Sequence, residues 1–466
     1  MKTSIKVFII LLFVCSVISA QKSKKIDESF NVSADQKIVL KAYPGMDVTV
    51  QAWDKQSVSF NLNVEVSCSD GDFEKEFIEN FKIVEENTNS ILHLYFEAPK
   101  HNGGWSFWDL LRLKFVYNIS INVTGKIFVP KHNLLTADFS YSELKIFDLE
   151  EEFKLSGNGN EILLRNCGNL QEINNNYGDI QIENSEGQLN LETRSSVLKI
   201  DKFAGELDIK ADYSDLYVNN IDGECKIGSR SGTIKIKDVT KDLDIHSPYS
   251  DMEINNIGGM TTIVTRSGNI YCNNVGGVKI DAPYSECDLS KITGTASDKM
   301  DVIIKSGNLN ITDAKGDLNV DDSYSNFRLN NIGGNISIIT QSSSIDAKNI
   351  RGDIEIEAQY SNIDFKKITA NNVKISNKSN VTLLDLDKVP NNVKIISEYG
   401  EVKIRMPEGY EGTVDLTAEY SEIRTDIPVK IKKLGSSMIG IGSIGSESNN
   451  KIEISTMSGN INIITK

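Results

Sequence analysis

Residues 213–248 read YSDLYVNNIDGECKIGSR followed by SGTIKIKDVTKDLDIHSP. Set one above the other, these two eighteen-residue lines match place by place. Apolar residues fall at places 4, 6, 9, 13 and 15: Leu216, Val218, Ile221, Cys225 and Ile227 in the first line, and Ile234, Ile236, Val239, Leu243 and Ile245 in the second. Places 4 and 6, like 13 and 15, alternate with polar residues, which is the period of a strand buried on one face. Asn and Gly stand between the alternating pairs, and both tolerate the positive φ that tight corners require. Each line therefore reads as two short strands and two corners, with no room for a useful helix.

The line recurs in both directions. Starts at Tyr177, Ser195, Tyr249, Ser267, Tyr284, Ser306, Tyr324, Ser342, Tyr360 and Ser379 give twelve consecutive lines from Tyr177 to Glu398, and Tyr399 opens another. The line from Tyr284 is longer by four residues. A single line cannot bury its apolar face, whereas stacked lines can, each strand pairing in parallel with its equivalent in the next turn. The fold class expected is all-β: a right-handed parallel β-helix, or β-solenoid, with coils of about 18 residues and rungs ~4.8 Å apart. The expected organisation is a signal peptide over 1–20, a β-rich N-terminal cap or start of the solenoid over 21–137, and the parallel β-helix with a closing segment over 138–466.

The 466 residues carry a net charge of −15 and 39% hydrophobic residues, which describes a globular chain. That acidity argues against nucleic acid, whose phosphates need a basic surface, and against electrostatic docking on an anionic membrane. The four His stand at no ligand spacing, so no metal or cofactor is expected. Lys2 and Lys6, the apolar run Val7–Val14 and the small residues ending at Ala20 form a secretory signal. Lipidation at Cys15 is the rival reading, and Val14 before it suits that poorly. No later stretch is long and apolar enough to span a membrane. The expected location is extracytoplasmic: periplasm, outer-membrane surface or secreted. Of the remaining Cys, Cys225, Cys272 and Cys287 occupy core places and read as buried free thiols. A Cys272–Cys287 disulfide stays open.

The ends are less regular. KIVLKAYPGMDVTVQAW, SVSFNLNVEVSCS and SILHLYFEA alternate like strands, Asp72–Val84 suits a helix or an irregular insertion, and VYNISINVTGKIFVP suits two strands. Gly103–Phe115, with Trp105 and Trp108, reads as an end plug or a partner or membrane patch. After Leu434 the chain leaves register and returns with SGNINI, suggesting a closing hairpin or final coil.

Several segments carry a family resemblance: VTVQAWD (Val48–Asp54), ISINVTGKIFVP (Ile119–Pro130), and the SGxΦxΦ and NNΦxG units at Ser231–Ile236, Ser267–Cys272, Asn330–Gly334 and Ser458–Ile463. They resemble the bacterial "putative adhesin" domains, the DUF4097-like and head-GIN-type families of secreted β-helix proteins. The resemblance implies an extracytoplasmic β-solenoid of the cell envelope with adhesin-like character. It carries over no catalytic residue.

Chemistry in the repeat centres on one edge. Tyr177, Tyr213, Tyr249, Tyr284, Tyr324 and Tyr360 recur every second line, and Arg194, Arg230 and Arg266 precede the Ser lines. These nine residues form the candidate partner stripe, with rings as stacking platforms and guanidinium groups as polar contacts. The rival reading is a structural corner ladder that holds register. Asn pairs at places 7 and 8 suggest an amide ladder. Asp179, Asp215, Asp251 and Glu286 at place 3 could hold surface calcium, although the calcium β-roll pattern is missing. No GxSxG, HExxH or phosphate loop is present. The expectation is a non-enzymatic, adhesin-like interaction protein whose partner is a surface polymer, a glycan or an envelope protein. Glycan binding at the Tyr edge and a polysaccharide-active enzyme are the alternatives.

Overall fold

The computed structural model describes residues 22–68, 71–98, 120–295, 297, 299–445 and 449–466. The signal-peptide reading of 1–20, with Cys15, and the tryptophan-bearing segment Gly103–Phe115 lie outside them. The described residues form 39 strands and one helix, in two units, Met1–Lys145 and Ile146–Lys466.

In the second unit the eighteen-residue line is one rung of a parallel β-solenoid. Ser231–Val239 pairs with Tyr249–Val264 through Ser231↔Tyr249, Ile234↔Met252 and Ile236↔Ile254. Leu243–His246 pairs with the same strand through Leu243↔Thr261 and Ile245↔Ile263. Each place thus stacks on itself. The five apolar places of the Tyr213 line are all buried, none more than 2% exposed. Each such side chain contributes ~1.5–3 kcal/mol, and a slip of one residue would turn the whole set outward. The extra residues of the Tyr284 line are taken up between Ile292 and Lys299, because Ile270↔Cys287 on one side and Ile280↔Val302 on the other keep the columns aligned.

One corner differs from expectation. Ile180–Arg194, Val197–Asp212 and Tyr249–Val264 each run as a single strand across places 7 and 8. The corner there is one left-handed residue, at Asp148, Asn166, Asn184, Lys202, Asn220, Asp238, Asn256 and onward to Lys367, with φ between 46° and 61°. One such residue bends the chain while the ladder continues on both sides. Asn and Asp tolerate this backbone best, and the expected amide ladder forms: Asn256 Nδ2 donates to Asp238 Oδ1 at 2.7 Å and Asn274 Nδ2 to Asn256 Oδ1 at 3.0 Å. Just beyond, backbones touch. A Cβ on Gly223 would lie 1.8 Å from the Gly205 carbonyl oxygen, so only glycine fits.

At the C-terminus chain order and rung order part company. Lys451–Thr456 pairs with Asn392–Ser397 on one side and Gly412–Glu419 on the other. Ile461–Thr465 likewise lies between Val402–Met406 and Ile423–Thr425. The last segment of the chain is therefore inserted between two earlier rungs. Gly412–Glu419 then pairs antiparallel with Ser437–Ile444, and that strand with Lys430–Leu434. The expected hairpin is present, and the coil that SGNINI returns to is an inserted rung, not the final one of the stack.

The first unit mixes strand directions. Lys22–Asn31 and Ser120–Pro130 both lie antiparallel to Ser57–Ser67, while Met46–Trp53 runs parallel to Ser120–Pro130. The two strands expected around Gly125 are one. Gly125 sits at φ +144°, where a Cβ would come within 2.2 Å of the Asn61 carbonyl oxygen, so the glycine admits close backbone contact and does not break the strand. The segment after Asp72 is a helix, Gly71–Asn80. Phe73, Phe77 and Phe81 fall on one face at i, i+4 spacing, and the Phe77 and Phe81 rings stack at 5.4 Å.

Candidate functional site

Place 1 of every rung forms a column at one corner of the second unit. The register sets Tyr and Ser in strict alternation along it, as in Ser231↔Tyr249, Ser267↔Tyr284 and Ser306↔Tyr324. Consecutive Tyr are two rungs apart, ~9.6 Å on a strand spacing of ~4.8 Å. Tyr177, Tyr213, Tyr249, Tyr284, Tyr324 and Tyr360 are all exposed, from 48% at Tyr213 to 61% at Tyr324. The column continues through the inserted rung: Tyr399, then Ser458, then Tyr420. Ser458 N donates to the Glu398 carbonyl at 2.8 Å, and Ile423 pairs with Ile461.

Place 2 alternates with place 1 over the middle of the column. In Tyr lines it holds Ser214, Ser250, Ser285, Ser325 and Ser361, all buried. In the Ser lines it holds Gly232, Gly268 and Gly307, where a Cβ would lie 2.0–2.1 Å from the carbonyl oxygens of Ser214, Ser250 and Ser285. From Tyr213 to Tyr324 the unit of this corner is thus a pair of rungs, whereas Gly178 and Gly400 follow Tyr, and Ser196 and Ser343 follow Ser, outside that stretch. Behind it runs an interior column of hydroxyl groups. Thr193 Oγ1 donates to Ser196 Oγ at 2.7 Å, Ser196 N to Ser214 Oγ at 3.1 Å, and Ser343 N to Ser361 Oγ at 3.0 Å. A buried carboxylate joins it at Asp322, whose Oδ2 accepts from Thr340 Oγ1 at 2.6 Å and Ser343 Oγ at 2.5 Å. Sequence reasoning missed this column. Its signal was a small hydroxyl residue recurring at places 2 and 17.

The structure brings the three Arg to the rings. Arg194 lies over the Tyr213 ring, its guanidinium carbon 5.5 Å from the centroid. Arg230 hydrogen-bonds Tyr213 and pairs with Asp212 at 3.4 Å, contacts that raise its already high pKa. Arg266 donates to the Tyr249 hydroxyl at 3.3 Å. Tyr and Arg therefore interleave from Arg194 to Arg266. Tyr177, Tyr284, Tyr324 and Tyr360 share the column and the exposure.

The other candidates resolve into structural roles. Asp179, Asp215 and Asp251 each accept from the next rung's backbone, at Val197 N (3.1 Å), Thr233 N (2.9 Å) and Asn269 N (2.9 Å), and Glu286 accepts from Asn308 Nδ2 at 3.3 Å. These carboxylates clamp rungs together. Among the described residues no group of three or more His, Cys, Asp or Glu is arranged to hold a metal. Cys68 is buried, and Cys167, Cys225, Cys272 and Cys287 are buried free thiols. Cys272 and Cys287 lie on neighbouring rungs at different places, Cys272 opposite Leu289 and Cys287 opposite Ile270. Burial pushes the Cys225 and Cys287 thiols up to about 12, so neither supplies a thiolate nucleophile near neutral pH.

The family model Toastrack DUF4097 matches residues 118–262 and 334–464, more than half of the chain. The chain belongs to the Toastrack DUF4097 family. Its matched segments contain both the regular rungs and the inserted one. Among curated proteins nothing matches. Two solved structures are similar. One is a "putative cell adhesion protein" from Clostridium sporogenes, 10% identical, covering 96% of this chain and 100% of its own at a TM-score of 0.17. The other is a "putative adhesin" from Bacteroides fragilis, 11% identical, covering 73% of this chain and 97% of its own, also at 0.17. At those scores neither carries an argument about this chain.

Proposed function

We propose that this Toastrack chain is a non-enzymatic, extracytoplasmic β-solenoid of the bacterial cell envelope that holds a surface partner along its Tyr/Arg edge. The observation that carries the reading is the exposure of a whole column of rings. A ring left half in water adds little to the core. Tyr177 and Tyr213 also hold left-handed backbone, φ 60° and 56°, which is costly for a bulky residue. Ser195 takes the same corner at φ 55°, so the backbone does not demand an aromatic there. Rings retained where Ser suffices are available to a partner, and aromatic contacts of this kind dominate interface energetics. The place-3 carboxylates Asp179, Asp215 and Asp251 are each engaged by a backbone N–H of the next rung, which suits a structural role.

Replacing Tyr213, Tyr249 and Tyr284 together by Ser tests the proposal. Binding of the purified protein to isolated cell envelopes is expected to fall at least about tenfold with an unchanged melting curve. Unaltered binding, or unfolding of the variant, would return the column to a purely structural role. Surface proteolysis of whole cells distinguishes the exterior from the periplasm.

A further inference from the structure

We infer that the Tyr edge takes an extended β-1,4-linked glycan, two sugar residues to each pair of rungs; the inference rests on the reading of that edge as the binding surface. Three observations point to this class. The first is length. Tyr stands at every second rung, so the rings repeat at ~9.6 Å, a distance close to that spanned by two sugars of an extended β-1,4 chain. A β-strand repeats at ~6.6–6.8 Å per two residues and falls out of step within a few rungs, while a polyproline II chain, at ~9.3 Å per turn, keeps the distance but is three-fold and has no half-turn alternation. The second is alternation. Successive sugars in a β-1,4 chain are turned over by half a turn, so the same face recurs on every second residue. The column has the same symmetry, with Tyr249 and Tyr284 as platforms and Ser267 between them. An α-1,4 chain coils and cannot keep this register. The third is charge. Arg230 is paired with Asp212 at 3.4 Å, Arg266 donates to Tyr249, and the chain as a whole carries −15. Such an edge offers donors to hydroxyl or N-acetyl oxygens, and the acidity of the chain as a whole opposes the long-range approach of a polyanion.

The column is also uninterrupted where it needs to be. The additional residues of the Tyr284 line lie between Ile292 and Lys299, and Ser306↔Tyr324 restores place 1 to place 1 on the next rung pair. From Tyr177 to Tyr360 a Tyr therefore stands at every second rung.

Calorimetric titration of the full chain with cello-, chito- and malto-oligosaccharides, each from disaccharide to octasaccharide, tests the assignment. Affinity is expected to rise with each added pair of β-1,4-linked sugars, with no binding of the α-1,4 series. Stronger binding of the chito series would identify N-acetylated chains as the source, and of the cello series unsubstituted ones. Tyr213→Ser, a residue the same column already accepts at Ser231, should weaken octasaccharide binding about three- to tenfold, and Tyr213→Phe should restore it. No binding of either β-1,4 series, equal binding of the α-1,4 series, or indifference to Tyr213→Ser would overturn the assignment. If the triple Tyr variant loses envelope binding while no oligosaccharide binds, the edge remains the binding surface and only the ligand class falls.

Discussion

The rungs from Tyr177 to Lys378 and those from Asn392 to Lys466 are made of the same parts and assembled differently. In the first region each rung is followed in the chain by its neighbour in space. In the second, the last rung enters between two that precede it, so Asn462 Nδ2 reaches Glu401 Oε1 at 2.6 Å across 61 residues of chain. Yet the columns do not register the change. Tyr399, Ser458 and Tyr420 keep the alternation, and a Cβ on Gly459 would lie 2.0 Å from the Gly400 carbonyl oxygen, the same approach that Gly232 makes to Ser214. Stacking is thus governed by place-to-place complementarity, and connectivity only sets its cost. Sequential rungs can add one at a time to a growing stack. The inserted rung must close a long loop first, which places it at the least cooperative end of the unit.

The largest expected effect comes from removing the inserted rung. Deleting residues 451–466 exposes the partners of Ile452, Ile454, Ile461 and Ile463, all buried, at roughly 1.5–3 kcal/mol each as an upper bound. Hydrogen exchange should then show lost protection over residues 392–425 and intact protection over 213–360. A uniform loss would erase the distinction between the two regions.

A buried charge sharpens it. Ile254→Asp places a carboxylate in the interior and should cost about 4 kcal/mol or more, collapsing the main thermal transition. Ile454→Asp, buried to the same degree, should release only the C-terminal rungs. Equal calorimetric traces for the two variants would mean that the whole unit melts as one.

The smallest effect is local. Gly307→Ala and Gly459→Ala meet the same 2.0 Å obstacle and should each cost about 1–3 kcal/mol in chemical denaturation. The first should be felt in the main transition and the second at the C-terminal end. A clear difference in cost would show that the inserted rung is packed less tightly than its geometry indicates.

Much of the candidate edge was legible because the residues that build it repeat. Tyr213, Tyr249 and Tyr284 occupy the same place in successive pairs of lines, and a shared place becomes a shared column once pairing is in register. The Arg contacts were legible only as neighbourhood. Arg194 reaches forward to Tyr213, whereas Arg230 and Arg266 reach back to Tyr213 and Tyr249, a choice that long flexible side chains make from their surroundings. The hydroxyl column behind the edge escaped because Ser and Thr at places 2 and 17 read as polar, and nothing local distinguishes a solvated hydroxyl from one turned inward to a neighbouring backbone. The continuous corner escaped for a similar reason: Asn256 announces a turn, Lys202 at the same place announces none, and only the ladder on both sides shows that the strand survives it.

The spacing of apolar residues alone determined that this chain is built of strands, which faces are buried and that like places pair, because side chains alternate with period two and any other register would turn the interior outward. Where the final rung goes was decided only in three dimensions. Two successive Tyr lines, at Tyr399 and Tyr420, lack a Ser line between them, and the missing line stands at Ser458. Both edges of that rung are compatible with many others, however, and it is the gap left between particular neighbours that selects its position.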